Sequence, residues 1–170
     1  MRFIDPAHDP WQRENAEGTP LAAPQPALLS WSQWQAWSGN GPEGLPLGVI
    51  LPNDADPEEL RRDLGRLSLI VLQFPKWTDG RAYSQARLLR TRLRFAGELR
   101  AEGEVLVDML PLLQRTGFDA VLLRSDQQLA SAERALRFFA AHYQGDVLET
   151  RAVFADSRST GAAPAAAAGA

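Results

Sequence analysis

Short apolar runs alternate with stretches of helical spacing from Leu47 onward, and that alternation sets the fold class. Leu47–Leu51 is an apolar run closed by Pro52-Asn53-Asp54, the pattern of a strand entering a loop. A helix is predicted next: Asp56 caps it, Pro57 suits its first position, Glu59 completes a capping box, and Leu60, Leu64 and Leu67 form its inner stripe. Leu69 to Phe74 reads as a strand covered on both faces. From about Arg81 to Phe95 a second helix is predicted, with Ala82, Ala86, Leu89 and Leu93 inward and Gly97 as its stop. Arg87, Arg90 and Arg94 line another face, and for Arg90 and Arg94 a solvated surface is the expected role.

Glu98 to Ala101 forms a third predicted strand opening into Glu102-Gly103-Glu104, followed by a helix carrying Leu106, Met109, Leu110 and Leu113. Pro111 requires either a later start capped by Asp108 or a kink. Gly117 ends that helix, and Ala120 to Leu123 is the fourth strand. Ser125 or Asp126 caps a last helix whose core face is Leu129, Ala132, Leu136, Phe139 and Tyr143. Residues 147–154 alternate enough for an added edge strand.

Strands joined by single helices run parallel, because each crossover returns the chain in the same sense. The expected fold is therefore α/β: four consecutive βα units on a parallel sheet, partial TIM-barrel-like, with an open doubly wound flavodoxin-like sheet as the alternative. Either way the four loops after the strands meet at one end.

That end collects Asn53 and Asp54, then Lys76, Trp77, Thr78, Asp79, Gly80 and Arg81, then Glu102 and Glu104, then Arg124, Ser125 and Asp126. Gly80 ahead of a helix leaves backbone N–H groups for an anion, and Lys76, Arg81 and Arg124 are suited to hold oxyanions. Tyr83 and Arg87, on the helix behind the loop, complete the candidate ligand-binding set. Against this stand plainer duties: Asp79 as a helix cap, Lys76 in a rim ion pair, Trp77 as a lid over the core. Ser84 is expected on the helix surface, since no histidine lies near it in sequence. Neither glycine-rich nucleotide fingerprint occurs.

Outside the βα domain, expected over residues 46–155, two further regions stand apart. Residues 1–45 combine an arm rich in proline, with Phe3-Ile4 and Trp11 as anchors, and a short helix bearing Trp31, Trp34 and Trp37. Ser30 and Gln33 fit a capping box there, and Leu29 with Trp34 a hydrophobic staple. The indoles drift round this helix, so core packing is expected for one or two and a partner surface for another. Residues 156–170, alanine-rich and short of apolar bulk, are expected to be disordered.

Composition then removes function classes. The 170 residues are 45% apolar, enough for a real core. A net charge of −3 gives no footprint for nucleic acid. No run approaches the ~20 apolar residues of a membrane span, and Met-Arg-Phe-Ile-Asp-Pro lacks a signal peptide's apolar region, so the chain reads as cytoplasmic. Zero cysteines exclude disulfides, thiol redox and thiolate ligation of zinc or iron–sulfur clusters. With only two histidines, His8 and His142, a metal site is not expected, and any electron transfer would need a borrowed cofactor, whose identity is open.

Four blocks, Leu51–Pro57, Phe74–Arg87, Gly97–Val105 and Gly117–Ala120, together resemble a bacterial family of unknown biochemical function described as an oxidoreductase involved in sulfite reduction. The resemblance spans roughly residues 45–144. Trp77 stands where that family often has Phe, and Pro111 and the alanine-rich tail look peculiar to this chain. The resemblance implies a place in assimilatory sulfate reduction, because members are typically encoded beside sulfite reductase, and it carries no established catalytic residues. Two functions follow as expectations: an accessory or binding protein for sulfite reductase or its electron donor, or a small enzyme acting on an anionic sulfur or phosphate metabolite. Flavin binding is a third. Exposed edges of a short sheet make self-association plausible.

Overall fold

A computed structural model describes residues 1–13, 25–36, 46–138, 144–147 and 150. Trp37, Phe139, Tyr143, His142, most of the expected strand 147–154 and the alanine-rich tail lie outside them. Seven strands form one sheet: β1 (Arg2–Phe3), β2 (Gln12–Arg13), β3 (Ala27–Leu29), β4 (Leu47–Leu51), β5 (Leu67–Phe74), β6 (Glu98–Gly103) and β7 (Ala120–Val121). Every ladder is parallel. Helices α1 (Trp31–Ala36), α2 (Arg81–Thr91), α3 (Leu110–Thr116) and α4 (Leu129–Arg137) follow β3, β5, β6 and β7.

Strand order is β1-β7-β6-β5-β4-β3-β2. From β2 to β7 each strand lies beside its neighbours in sequence without reversal, so the switch point that defines a doubly wound sheet is missing. Right-handed crossovers then put the helices on one face. The other face is closed by curvature. Phe3 and Gln12 sit on opposite edge strands, about 29 Å apart on a flat sheet. The segment between them is too short, because it spends residues on a turn in which His8 N–H donates to Asp5 at 3.0 Å. The sheet is accordingly curled into a half-barrel. A ladder between β1 and β2 would make the order cyclic, as in a barrel; residues 4–11 bridge that seam instead.

Two cores result from the alternation of side chains along each strand. Between sheet and helices lie Val49, Leu51, Ile70, Leu72, Phe74, Leu99, Ala101 and Val121 with Leu60, Leu89, Leu110 and Leu113. On the concave face Leu28, Leu69 and Val71 pack with Trp11 and Ile50. Gly48 makes room there, since a Cβ would stand 3.0 Å from the Trp11 ring.

Several local expectations change. The helix predicted after Asp56 is two 3-10 turns, Pro57–Leu60 and Leu64–Arg66, although Asp56 does accept from Glu58 N–H at 2.9 Å. Its third stripe residue, Leu67, belongs to β5, where a register shift leaves Ser68 as an extra, exposed residue. Helix α2 stops at Thr91 and not at Gly97: Arg94 takes the left-handed conformation at φ 58° and Phe95 N–H returns to Leu89 O at 2.9 Å. Gly97 is required for a different reason, the Phe95 ring 2.4 Å from where its Cβ would be. Pro111 falls in the first turn of α3, the later start, but Asp108 does not cap it: Asp108 lies within a 3-10 turn at Val107–Met109, and Met109 takes the cap position without a side-chain bond. Helix α4 begins after Gln128 without a side-chain cap from Ser125 or Asp126. The capping box of α1 forms as expected, Gln33 Oε1 accepting from Ser30 N–H at 2.7 Å and Ser30 Oγ from Gln33 N–H at 3.3 Å, with Trp34 buried. No helix among the described residues is long and apolar enough to cross a membrane.

Candidate functional site

The loops after β4, β5, β6 and β7 converge at the strand C-terminal ends, as parallel topology requires. Gly103 fixes one junction. At φ 105° it has a conformation that L side chains rarely adopt, and a Cβ would lie 2.4 Å from Phe74 O, so β5 and β6 end in direct backbone contact. Glu104 N–H donates to Phe74 O at 2.8 Å, and Arg124 N–H to Val105 O at 3.1 Å.

Two polar groups form the rim. In the first, Asp79 lies in front of α2: Oδ1 accepts from Arg81 N–H at 3.2 Å and Oδ2 from Asn53 Nδ2 at 2.7 Å. Arg81 returns side-on to the same carboxylate, with Nε to Oδ1 at 3.0 Å and Nη2 to Oδ2 at 2.7 Å. The hydrogen bonds from Arg81 hold the Asp79 carboxyl down at about 2, and Asp79 raises the arginine in turn. Buried Gln85 supports this corner by donating to Pro52 O and Ala55 O, both at 2.8 Å, while its Oε1 is buried without a partner. The second group is Arg124 between Asp126 and Glu104, with contacts of 2.7 Å to each. The guanidinium holds Asp126 at about 2 and is itself pushed up by Asp126 and then Glu104.

The expected anion cradle is thus already filled by the chain. A carboxylate occupies the first turn of α2, and the charges of Arg81 and Arg124 are engaged. Lys76, Trp77 and Thr78 stand outside this arrangement on a turn closed by Asp79 N–H to Lys76 O at 3.0 Å. All three are exposed, Trp77 by 55%, and Lys76 has no carboxylate partner among the described residues. Tyr83 is a wall and not a rim group: it meets Phe74 edge-on at 5.1 Å and Phe118 at 6.4 Å, and burial, then Asp108, pushes its hydroxyl up to about 12. Arg87 is exposed on α2.

Glu102, expected in the loop cluster, sits instead on the inner face of β6. Glu98, Arg100 and Glu102 alternate there with core-facing Leu99 and Ala101, and each meets the N-terminal segment. Arg2 pairs with Glu98, Asp9 with Arg100 at 2.5 Å, and Arg13 with Glu102. The period-two charge pattern of residues 98–102 was the available sequence signal. The partners, some ninety residues earlier, had none. Among the described residues no group of three or more His, Asp or Glu is placed to hold a metal ion.

A curled, all-parallel α/β sheet with an ion-paired rim at its strand C-terminal ends defines the class of this protein. The chain belongs to DUF934, a family of bacterial proteins of unknown function, whose profile matches residues 48–154. That match runs from the second residue of β4 past the last described residue and leaves β1, β2 and β3 outside it. No curated protein matches the sequence.

Proposed function

We propose that this protein is an accessory component of assimilatory sulfite reduction that acts by docking, with the loop tip Lys76-Trp77-Thr78 as its recognition surface. One observation carries the reading: Trp77 is held 55% exposed at the end of β5, the longest described strand. An indole presented on a rigid support beside a lysine without a carboxylate partner among the described residues has the composition of an interface anchor. The engagement of Arg81 and Arg124 by carboxylates favours this over a small-anion site at the same rim. The pathway rests on the resemblance to a family whose members are encoded beside sulfite reductase, and the partner is that reductase or its electron donor. A small enzyme acting on an anionic metabolite is the second reading, favoured by the two arginines, Arg81 and Arg124, that the loops bring to the strand C-terminal ends.

A strain lacking the protein should fail on sulfate or sulfite and grow on sulfide or cysteine. Trp77→Ala should fold normally, complement poorly and lose capture of the reductase. Growth on sulfite without the protein removes the pathway, and full complementation by Trp77→Ala removes the surface. Sulfite reduction by the purified chain with an added electron donor establishes the enzyme reading instead.

A further inference from the structure

We infer that the concave face of the half-barrel binds a small monocarboxylate, and that Asp9 occupies that ligand's place on Arg100. Arg100 is 1% exposed at the middle of β6. Its Nη1 donates to Asp9 Oδ2 at 2.5 Å and its Nη2 faces Oδ1 at 3.4 Å, the two-point approach of a planar carboxylate to a guanidinium. Nε turns to Glu98 at 3.2 Å. Burial opposes the charge on Arg100, and Asp9 followed by Glu98 more than offsets it.

Asp9 is the member of this set that no strand carries, and its Oδ1 also accepts from Trp11 N–H at 3.3 Å. It lies in the bridging segment 4–11, outside any ladder, between strands of two residues each. A cavity of about 350 Å³ opens beside it, lined by Ile4, Asp5, His8, Trp11, Glu98 and Arg100 among others. Glu98 opens β6, so this cavity lies toward the strand N-terminal ends, away from Trp77. Arg2 and Arg13 are committed to Glu98 and Glu102. Withdrawal of Asp9 frees the two guanidinium nitrogens it occupies, while Glu98 stays on Nε and Glu102 stands 3.7 Å from Nη1; with Asp5 also on the cavity wall, a monoanion is the least costly anion to seat there and a dianion costs more. Ile4 and Trp11 supply an apolar wall for a short aliphatic body.

Isobutyrate is the probe, titrated calorimetrically into the full chain, with sulfate at matched ionic strength as the competing class. Asp9→Ala removes the internal competitor, and Asp9→Asn removes only its charge. Both should bind isobutyrate at least about tenfold more tightly than the wild type, gain melting temperature from it, and ignore sulfate. Trp11→Phe should abolish the accompanying fluorescence change. Equal affinity in wild type and both Asp9 variants places the ligand elsewhere and overturns the proposal, as does the absence of saturable binding. Sulfate binding tighter than isobutyrate overturns the carboxylate assignment. None of these outcomes bears on docking through Trp77.

Discussion

Arg81 and Arg90 stand on one helix and differ in everything that sets the energetic weight of an ion pair. Arg81 is exposed and bonds a neighbouring carboxylate that water also reaches. Arg90 is only 12% exposed and donates to three carbonyls, Phe95 at 2.6 Å, Gly97 at 2.8 Å and Gly117 at 2.9 Å, besides its contact with Asp119. It fastens the end of α2 to the starts of β6 and β7, a duty that the expectation of a solvated face missed, because its acceptors are backbone oxygens with no residue-type signature. Arg90→Met should cost about 3 kcal/mol in chemical denaturation, since those acceptors lose their donor together. An unchanged midpoint would show that water replaces the guanidinium. Arg81→Ala should leave the unfolding midpoint nearly unchanged and act on Asp79 instead, moving its carboxyl from about 2 back toward the ordinary 3.8. Because the native value lies below the unfolded one, the pair's contribution, small because water screens it, is present above about pH 4 and lost as pH falls toward 2. Carboxyl NMR titration of the wild type and variant reads this directly, and an Asp79 titration unmoved by the substitution would assign the low value to the backbone N–H and Asn53.

Elements were legible where a local rule governs them and illegible where a distant partner does. The α1 capping box needs only Ser30 and Gln33, and both bonds form. Strand β5 needs only its apolar run. The stripe Leu60, Leu64, Leu67 has equally good helical spacing, yet pairing with Leu47 draws Leu67 into the sheet and consumes the last turn of that helix. Gly65 inside the segment weakens it further. The end of α2 was misplaced because Arg94, not a glycine, takes the left-handed position. Arg94 is exposed and has no ion pair among the described residues, so its side chain offers nothing against the backbone cost. Arg94→Gly should stabilise the protein by about 1 kcal/mol, measurable as a raised denaturation midpoint at unchanged m-value. A destabilised variant would mean that the arginine side chain holds that turn.

At the scale of the molecule, the parallel sheet and its convergent loops follow from the βα rhythm, whereas its closure does not. Strands β1 and β2 contribute two residues each, too few to show any period, and they sit at opposite edges of a sheet whose other members come much later in sequence. What holds them is the charge match Arg2–Glu98, Asp9–Arg100 and Arg13–Glu102 across the concave face. The outer two pairs have exposed arginine partners, 62% for Arg2 and 49% for Arg13, and are open to salt; the central pair, with Arg100 1% exposed, is not. The two edges should therefore loosen with ionic strength while the middle of the sheet does not. Amide exchange should be faster at Ile4, bonded to Val121 O, and Gln12, bonded to Pro26 O, than within β5 at any salt. Raising salt from about 0.05 to about 0.5 M, which shortens the screening length severalfold, should accelerate exchange at Ile4 and Gln12 and leave Val71 and Leu72 unchanged. Salt-independent exchange at both edges would show that the short ladders and the packing of Trp11, not the ion pairs, close the half-barrel.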